Sequence, residues 1–552
     1  MKSINKYIAL GAVVLSMASC SDFLDVVPND ALSPATTWKD SNDAEKFLTG
    51  CYDGWENATN LVYWDAGSDF GYNNFSWEGM RPVGDGSMSP SNPGWDMYSF
   101  GMINRCNELL DNVDKCEFTD EASREDMKAQ ARFLRAYQYF LMNWNYGGVP
   151  IIEHKFSSSE EAQVARNSEE EVRSFVDKEL EELTPKLSAT PAKRGRVAQG
   201  AAYALRMRQA LYYGKYETAM NCAEAIMNLG YSLDPDYSNL FNVAGQGSPE
   251  IILAVQYIPN TKATGVIGQL YNNGEGGWSS VVPTYNLIDT YEMANGMTID
   301  EAGSGYDAVH PFKNRDPRMR MTVLYPGRDY TYTDGSTAIF NTLDQELNGS
   351  KNANYWAAAD NASKTGLTWA KYQDPITQYA DIWSANTCPI VFRYAEALLT
   401  YAEAANEQLG APNSKAFDCV DEVRERAGMP AVDRTKYASQ EKFRELVRRE
   451  RAVEFAGEGM RRADILRWKT ADGKMVAEKV LNGNLERRVG TVSMDASVAE
   501  GDRATINTSA TSDQLLIETR KFGTHNRYLP IPQSAIDANP KLVQNSGYKS
   551  NE

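Results

Sequence analysis

The chain has 552 residues, a formal net charge of −18 and a mean hydropathy of −0.50. Its length is sufficient for a large core, built either as about two to four ordinary domains or as one repeat scaffold with insertions. No segment is basic enough to neutralise a phosphate backbone, so the composition argues against nucleic-acid binding and disfavours anionic lipid surfaces.

The N-terminus has the pattern of an export signal. Lys2 and Lys6 precede an apolar run that is too short to span a bilayer, and small residues then lead to Cys20. The string LSMASCSD resembles a bacterial lipoprotein signal, and the alternatives are an ordinary secretory signal or a buried N-terminal segment. We therefore expect a signal peptide at 1–19, a lipidated Cys20 as the single membrane anchor, a tether over 20–40, and no transmembrane helix.

Helical periodicity follows the tether. Apolar residues at i, i+3 and i+4 spacing predict an N-terminal helical scaffold over 41–233, with Ser41 as the first N-cap. A stretch rich in glycine, asparagine and aromatic residues interrupts it at 56–93, and a loop of this length is usually functional. Longer helices are predicted over 95–113, over 125–152 with a stop at Gly147 and Gly148, and over 168–183.

A helical hairpin is predicted where the string YGKYETAMNCAEAIM follows an alanine-rich helix. Gly214 makes the turn, Tyr216 packs in the corner, and Ala219 and Ala223 permit close approach of the two helices. This G-x-Y-x-x-A spacing resembles the second half of a tetratricopeptide repeat. Further helix pairs of the same kind are predicted over 390–470.

The repeat helices are interrupted between 234 and 389, where short β-like runs alternate with glycine, asparagine and aromatic residues. Residues 471–552 form a similarly irregular C-terminal cap. Helical solenoids carry such insertions on one side. The predicted fold is therefore mainly α: a tetratricopeptide-like helical-repeat scaffold with a loop-rich insertion that contains short strands and provides the ligand-binding face.

Carboxylates lie on the faces of two of the C-terminal helices. At helical spacing, Glu396 and Glu403 form a row beside an apolar face, and Glu450 and Glu454 lie within one. Such groups act as general acids, as metal ligands or in interhelical salt bridges, and we favour salt bridges because no histidine or cysteine clusters with them. The expected structural ion pairs comprise Glu396, Glu403, Glu450, Glu454, Arg393, Arg461, Arg462 and Arg467.

Motifs for catalysis and metal binding do not stand out. The sequence has no G-x-S-x-G, P-loop, H-E-x-x-H or EF-hand pattern, and its three histidines are far apart. Carboxylate pairs occur by chance among 74 acidic residues, so a glycoside hydrolase stays open as a lower-ranked alternative to a protein without enzymatic activity. We expect no cofactor or metal, with a structural calcium ion left open, and no disulfide between Cys106 and Cys116.

Aromatic residues in glycine- and asparagine-rich loops are the candidate ligand contacts. Flat rings stack on the C–H faces of sugars, while amides and arginines bind hydroxyl groups. A large ring in such a loop has less core to enter than one on a helix, although each could still be a core residue. The candidate binding residues are Asn73, Asn74, Trp77, Arg81, Trp278, Tyr355 and Trp356.

Several strings together resemble the SusD/RagB family of Bacteroidetes outer-membrane lipoproteins. They include CSDFLDVVP, QARFLRAYQYF, SPEIILAVQY, FRYAEALLTYAEAANE, RRERAVEFAGEGMRRADILRW and YLPIPQSAIDANPKLVQNSGY, in the family's order over nearly the whole chain after Cys20. The resemblance implies a lipid-anchored protein, exposed on the surface of the outer membrane, that captures oligosaccharides for a SusC-like TonB-dependent transporter. Peptide or glycopeptide capture, as in RagB-like members, is the alternative, and a repeat protein that serves only as an interaction scaffold ranks lower.

Overall fold

The computed structural model describes residues 38–549. The predicted signal peptide, Cys20 and most of the tether lie outside the described residues, and the predicted domain boundaries stay predictions. Within residues 38–549, no helix is both long enough and apolar enough to cross a membrane.

Helices make up most of the regular structure, which confirms the predicted mainly α fold. The N-terminal helices are α1 Ser41–Tyr52, α2 Ala58–Tyr63, α3 Met80–Asp85, α4 Gly101–Asn112, α5 Glu121–Tyr146, α6 Glu169–Leu183, α7 Gln199–Tyr212 and α8 Tyr216–Met227. The helices that follow are α9 Tyr237–Leu240, α10 Val266–Leu270, α11 Tyr285–Thr290, α12 Pro317–Thr322, α13 Tyr394–Leu409, α14 Ser414–Arg426, α15 Gln440–Glu454, α16 Arg461–Arg467, α17 Ala477–Val480, α18 Ser512–Leu515 and α19 Gln533–Ala538.

Local side-chain contacts explain where the longer helices begin and end. α6 starts with a capping box, in which Glu171 N donates to the Ser168 hydroxyl and Ser168 N donates to the Glu171 carboxylate. α5 ends where Gly147 adopts a φ of +74°, at the predicted stop. α4 begins at Gly101 and not at residue 95, because Tyr98 N donates to the Asp96 carboxylate in a turn that competes with helix.

The predicted hairpin is formed by α7 and α8. Gly214 makes the turn with a φ of +68°, and Tyr216 is the first residue of α8. Buried Ala219 packs together with Ala404 of α13, so that α8 lies between α7 and α13. Small side chains at these positions let the three helices approach closely, as in a tetratricopeptide-like stack.

The insertion contains short strands, as predicted. All strands of the described residues are short, and most of them lie in the insertion or in the C-terminal cap. The strands are β1 Gly71–Asn73, β2 Ile251–Ala254, β3 Val281–Pro283, β4 Val323–Leu324, β5 Asp329–Thr331, β6 Thr337–Ile339, β7 Glu346–Leu347, β8 Ser350–Lys351, β9 Thr368–Trp369, β10 Ile390–Arg393, β11 Gly483–Glu486, β12 Gly490–Val492, β13 Ala504–Ile506 and β14 Leu516–Arg520. They form two-stranded antiparallel ribbons: β1 with β3, β2 with β10, β4 with β9, β5 with β6, β7 with β8, β11 with β14 and β12 with β13. The β2–β10 ribbon connects the insertion to the start of α13.

The carboxylates on α13 and α15 pair with arginines from other parts of the chain. Glu396 accepts two hydrogen bonds of 2.7 Å from Arg208 of α7. Glu403 accepts bonds of 2.6 and 2.7 Å from Arg467 of α16. Further pairs join Glu450 to Arg318 and Arg424, and Asp69 to Arg461. Most of these contacts link segments that are distant in the sequence.

Arg393 lies in the middle of a buried ion-pair cluster. It contacts Glu250 at 2.7 Å, Glu454 at 2.7 Å and Glu458 at 2.8 Å. Burial by itself raises the pKa of Glu454, but the arginines around it outweigh burial and hold that pKa well below its usual value. The cluster therefore keeps its charges in the interior, where removal of one partner is costly.

Arg462 corrects one of the expected ion pairs. Its guanidinium donates to the backbone oxygens of Gly67 at 2.7 Å and Asn526 at 3.2 Å, and it pairs with no carboxylate in the described part of the chain. Burial without a negative partner lowers the pKa of Arg462 to about 10. Arg462 thus joins α16 to two loops through backbone carbonyls, which a search for charge pairs does not detect.

The structure also shows how the cysteines and the possible metal ligands are placed. Cys106 and Cys116 are buried free thiols, as are Cys51, Cys222, Cys388 and Cys419. Over the range 38–549, no group of three or more histidine, cysteine, aspartate or glutamate side chains is placed to hold a metal ion.

Candidate functional site

Trp77 presents an indole ring to solvent on a rigid support. It is 76% exposed, in a one-turn helix of residues Ser76–Glu78 that follows β1. Its ring stacks on the buried ring of Phe75, with centroids 4.8 Å apart and planes 28° apart. Gly79 ends the turn with a φ of +88°, which favours glycine. One face of the Trp77 indole therefore packs on Phe75, and the rest of the side chain remains exposed to solvent.

The β1–β3 ribbon brings a second loop beside Trp77. Asn73 of β1 is opposite Val281 of β3, and the pairing continues with a 2.8 Å bond from Asn74 N to the Ser280 carbonyl. The Ser280 hydroxyl donates to the Glu78 carboxylate at 2.8 Å. The loop that carries Trp278, two residues before Ser280, therefore leaves the ribbon at the same end as the Trp77 turn.

Trp278 forms a second exposed aromatic pair with Trp383. The two indoles are 43% and 38% exposed, their ring centroids are 4.6 Å apart and their planes are inclined by 55°. A Cβ at Gly268 would overlap the Trp383 ring, so glycine at this position is what admits the indole. Trp383 was not among the predicted contacts. It lies in the predicted insertion, but the surrounding stretch 374–389 contains no glycine and only one asparagine.

Tyr355 and Trp356 lie in a third loop, where both are half-buried. Their ring centroids are 5.5 Å apart, and the guanidinium of Arg487 lies 3.8 Å from the centre of the Trp356 ring. Arg487 also donates to the carbonyl oxygen of Lys364 at 2.9 Å. Burial lowers the pKa of Arg487, and no carboxylate of residues 38–549 pairs with its guanidinium to oppose this shift. Trp356 thus has one face held by a cation, in contrast to the exposed Trp77.

Polar contacts join the three loops into one surface. Asn273 Nδ2 donates to the Ala353 carbonyl at 2.6 Å, and Gly274 N donates to Asn354 Oδ1 at 2.7 Å, which connects the Trp278 loop to the Trp356 loop. Asn74 Nδ2 donates to the Ala362 carbonyl at 3.2 Å, which connects the Trp77 loop to the Trp356 loop. The structure therefore places all three predicted aromatic loops on one contiguous face.

Asn73 and Arg81 are engaged in contacts within the protein. Asn73 is 1% exposed, and its amide donates to the Glu78 carboxylate at 2.6 Å and to the Ser280 carbonyl at 2.8 Å. Arg81 pairs with Glu518 at 2.6 Å, and its guanidinium lies over the Tyr72 ring. In this structure both side chains fix the shape of the loop base and do not present free groups at its surface.

The histidines do not form a catalytic arrangement with one another. His154 Nδ1 lies 2.9 Å from the Asp111 carboxylate, and His310 Nδ1 lies 2.9 Å from the Ala504 carbonyl. The third, His525, packs its ring against Tyr548. The loop face offers exposed aromatic planes, which suit the binding of a polyhydroxylated ligand with a flat C–H face.

Comparison with known proteins gives a consistent result along the chain. A family model described as "SusD family" matches residues 249–548, and one described as "Starch-binding associating with outer membrane" matches residues 22–211. SusD-like protein P25 of Formosa agariphila is 25% identical over 503 residues, covering 83% of this chain and 88% of that protein. The starch-binding protein SusD of Bacteroides thetaiotaomicron is 25% identical over 482 residues, covering 79% and 75%.

Solved structures show the same similarity in three dimensions. A SusD-like carbohydrate-binding protein from Bacteroides fragilis superimposes with a TM-score of 0.79 and 26% identity, covering 92% of this chain and 100% of that chain. A laminarin-binding SusD-like protein superimposes with a TM-score of 0.62 and 22% identity, covering 93% and 100%. The second match shows the fold alone.

Proposed function

The chain belongs to the SusD family, and on that premise we propose that it is a non-catalytic binding protein that captures oligosaccharides at the outer membrane. The family's carbohydrate binding and its association with the outer membrane support this proposal. The ligand site is the face formed by the loops of Trp77, Trp278 and Trp356, with Trp383 as an additional contact.

The observation that carries the proposal is the exposed indole of Trp77 on top of Phe75. Water contact with an indole face is unfavourable, and a sugar ring replaces that water with the C–H groups of its flat face. Because Phe75 already holds the ring, little conformational entropy is lost when a ligand stacks on it. A pre-ordered platform of this kind fits a sugar-binding role and requires no nucleophile or general base.

More than one platform is needed for useful affinity. A stacked aromatic contact contributes about 0.5–1.5 kcal/mol beyond the area that it buries, which is a small part of the roughly 8 kcal/mol of micromolar binding. The Trp278–Trp383 pair provides a second aromatic surface on the same face. We therefore assign the site to an oligosaccharide long enough to contact both surfaces.

Trp77→Ala is expected to weaken oligosaccharide binding by at least about two- to twelve-fold, because it removes a stacking contribution of about 0.5–1.5 kcal/mol in addition to the buried apolar area. Isothermal titration calorimetry against a panel of neutral oligosaccharides measures the change. The matched control is Leu409→Ala, which removes an exposed apolar side chain at the end of α13. If Trp77→Ala and Trp278→Ala both bind every active oligosaccharide as tightly as the native chain does, the assignment of the loop face is wrong.

We also propose that a lipid on Cys20 holds the protein on the cell surface, where it delivers ligand to a SusC-like TonB-dependent transporter. The export pattern before Cys20 and the family's association with the outer membrane support this arrangement. Cys20→Ser is expected to move the protein from the membrane fraction to the soluble fraction, and the native protein should copurify with a transporter identified by mass spectrometry. A Cys20→Ser protein that stays membrane-bound, or a native protein without this partner, would contradict the proposal.

A further inference from the structure

A large cavity lies within the helical repeats, away from the loop face. It has a volume of about 690 Å³ and is bordered by the corner between α7 and α8, by α13 and α15, and by the residues that follow α16. Aromatic side chains form much of its wall: Trp144, Tyr212, Tyr213, Tyr216, Trp468 and Tyr528. The volume falls within the roughly 300–1,000 Å³ typical of small-ligand sites.

The cavity wall carries more positive than negative charge, although the whole chain has a net charge of −18. Its five cationic side chains are Arg444, Arg448, Arg467, Lys469 and Arg527, and its three carboxylates are Glu169, Glu403 and Glu407. Arg444 pairs with Glu407 at 2.5 Å, and Arg467 pairs with Glu403 at 2.6 Å. Among residues 38–549, no carboxylate pairs with Arg448, Lys469 or Arg527, so the cavity has an excess of unpaired cations.

Arg448 has hydrogen-bonding capacity that the protein does not use. Its Nη1 donates to the Lys469 carbonyl at 3.0 Å, while its Nε is buried and has no hydrogen-bond partner in the described chain. Its guanidinium lies 5.2 Å from the centre of the Trp468 ring. Burial lowers the pKa of Arg448, and the neighbouring carboxylates of Glu403 and Glu407 offset this only in part. An unpaired, partly buried guanidinium is a ready partner for an anion.

Arg527 is arranged in a similar way on another side of the cavity. Its guanidinium stacks 3.8 Å from the centre of the Trp144 ring and 4.7 Å from that of Tyr528, and its Nη1 donates to the Trp144 carbonyl at 2.9 Å. Glu169 is the nearby carboxylate, but it accepts a bond from the Tyr528 hydroxyl at 2.8 Å and pairs with no cation within 38–549. The stacked guanidinium is therefore held in place without being neutralised.

We propose that this cavity is a second binding site, for a saccharide unit that carries a carboxylate or sulfate group. The aromatic walls suit a sugar ring, and the guanidinium groups of Arg448 and Arg527 suit the planar or tetrahedral oxygens of an anionic substituent. The preference for a sugar rests on the proposed function, whereas the preference for an anion rests on the cavity alone. The aromatic rings in the lining favour a saccharide ring, whose flat C–H face can stack on them, over an acidic peptide, whose side chains carry a carboxylate but no such face.

Calorimetry of the full chain with trigalacturonate, a sulfated chondroitin disaccharide and neutral maltotriose tests the assignment. Arg448→Gln and Arg527→Gln are each expected to weaken binding of at least one anionic saccharide by about ten-fold or more. Lys469→Gln changes an exposed side chain that cannot disturb the fold, and it should weaken the same binding by a smaller factor. Raising the salt concentration from about 50 to 500 mM should weaken it too, because the attraction is electrostatic.

Two controls separate this site from the loop face. Lys442→Gln removes the same charge from an exposed position on α15 outside the cavity, and it should leave binding unchanged. Trp77→Ala should weaken binding of neutral oligosaccharides and leave the anionic site intact, so each proposal can fail independently. The cavity assignment is overturned if neither anionic saccharide binds, if the Arg448, Lys469 and Arg527 variants all bind like the native chain, or if only a glutamate-rich peptide binds.

Discussion

Replacing Arg393 with methionine is expected to lower the free energy of unfolding by about 3–5 kcal/mol, the cost of removing one partner from a buried ion pair. Arg393 is 2% exposed, and its guanidinium serves Glu250, Glu454 and Glu458 at the same time. Methionine fills a similar volume, so the loss does not come from a cavity. It comes from the missing positive charge, because among residues 38–549 Arg426 and Lys371 alone then face Glu250 and Glu458, and Arg426 and Arg318 face Glu454. Urea unfolding at neutral pH measures the difference.

Arg434→Met is the matched control for this substitution. Arg434 is an exposed arginine that also contacts two carboxylates, those of Asp418 and Asp421. Because water solvates such pairs, the loss of Arg434 is expected to lower the free energy of unfolding far less than the loss of Arg393 does. If Arg393→Met costs no more than Arg434→Met, the buried cluster does not depend on Arg393 in the way described.

The same cluster sets the direction in which stability changes with pH. Burial raises the pKa of Glu450, Glu454 and Glu458, but the surrounding cations outweigh it and the net shift is downward. A glutamate in the unfolded chain has a pKa of about 4.3, so the stabilisation from these ion pairs is complete above that pH. It is lost as the pH falls through the lower pKa values that the three glutamates have in the folded protein. The free energy of unfolding should therefore decrease below about pH 4, and less steeply in Arg393→Met.

Gly459→Ala is expected to lower the free energy of unfolding by about 2–6 kcal/mol, combining backbone strain and steric overlap of about 1–3 kcal/mol each. Gly459 has a φ of +74°, and a Cβ there would overlap the carbonyl oxygen of Leu61. Its backbone N donates to the buried Asp65 carboxylate at 3.3 Å. This contact fixes the start of α16 against the segment that precedes β1, so the substitution should also loosen the support of the loop face.

Gly473→Ala separates the two contributions. Gly473 has a φ of +81°, but a Cβ there would meet open space. We expect Gly473→Ala to lower the free energy of unfolding only by the strain of a positive φ in alanine, about 1–2 kcal/mol. Thermal and urea unfolding of the two variants give the comparison, and equal losses would show that packing against Leu61 contributes nothing.

The helical part of the fold was predictable because its signals are local. Ser168 and Glu171, only three residues apart, indicate the start of α6. Gly214 and Tyr216 indicate the hairpin of α7 and α8. The need of the helix carboxylates for cations was also predictable, since unpaired buried charge is costly. Their partners were not: Glu396 pairs with Arg208, 188 residues away, and nothing near Glu396 in the sequence indicates that contact.

The loop face was predictable in part, for a similar reason. Trp77 follows from composition, because a large ring among small polar residues has little local core to enter. The strand Gly71–Asn73 lies inside a segment that was predicted to be a loop. It was not predicted because its partner strand is far away in the sequence: Ser280, next to that strand, is 207 residues from Asn73. Without that pairing, sequence patterns do not show that Asn73 is enclosed. They also do not show that Trp383 reaches Trp278, which depends on the space left by Gly268.

The pairing of β1 with β3 has a consequence for how such a protein diversifies. The bases of the Trp77 and Trp278 loops are joined largely by main-chain hydrogen bonds, which do not depend on the identity of the residues at the tips. Insertions or exchanges at one tip therefore leave the neighbouring tip and the helical frame in place. Substitutions in one loop can therefore change the ligand specificity while the other loop and the helical scaffold keep their structure.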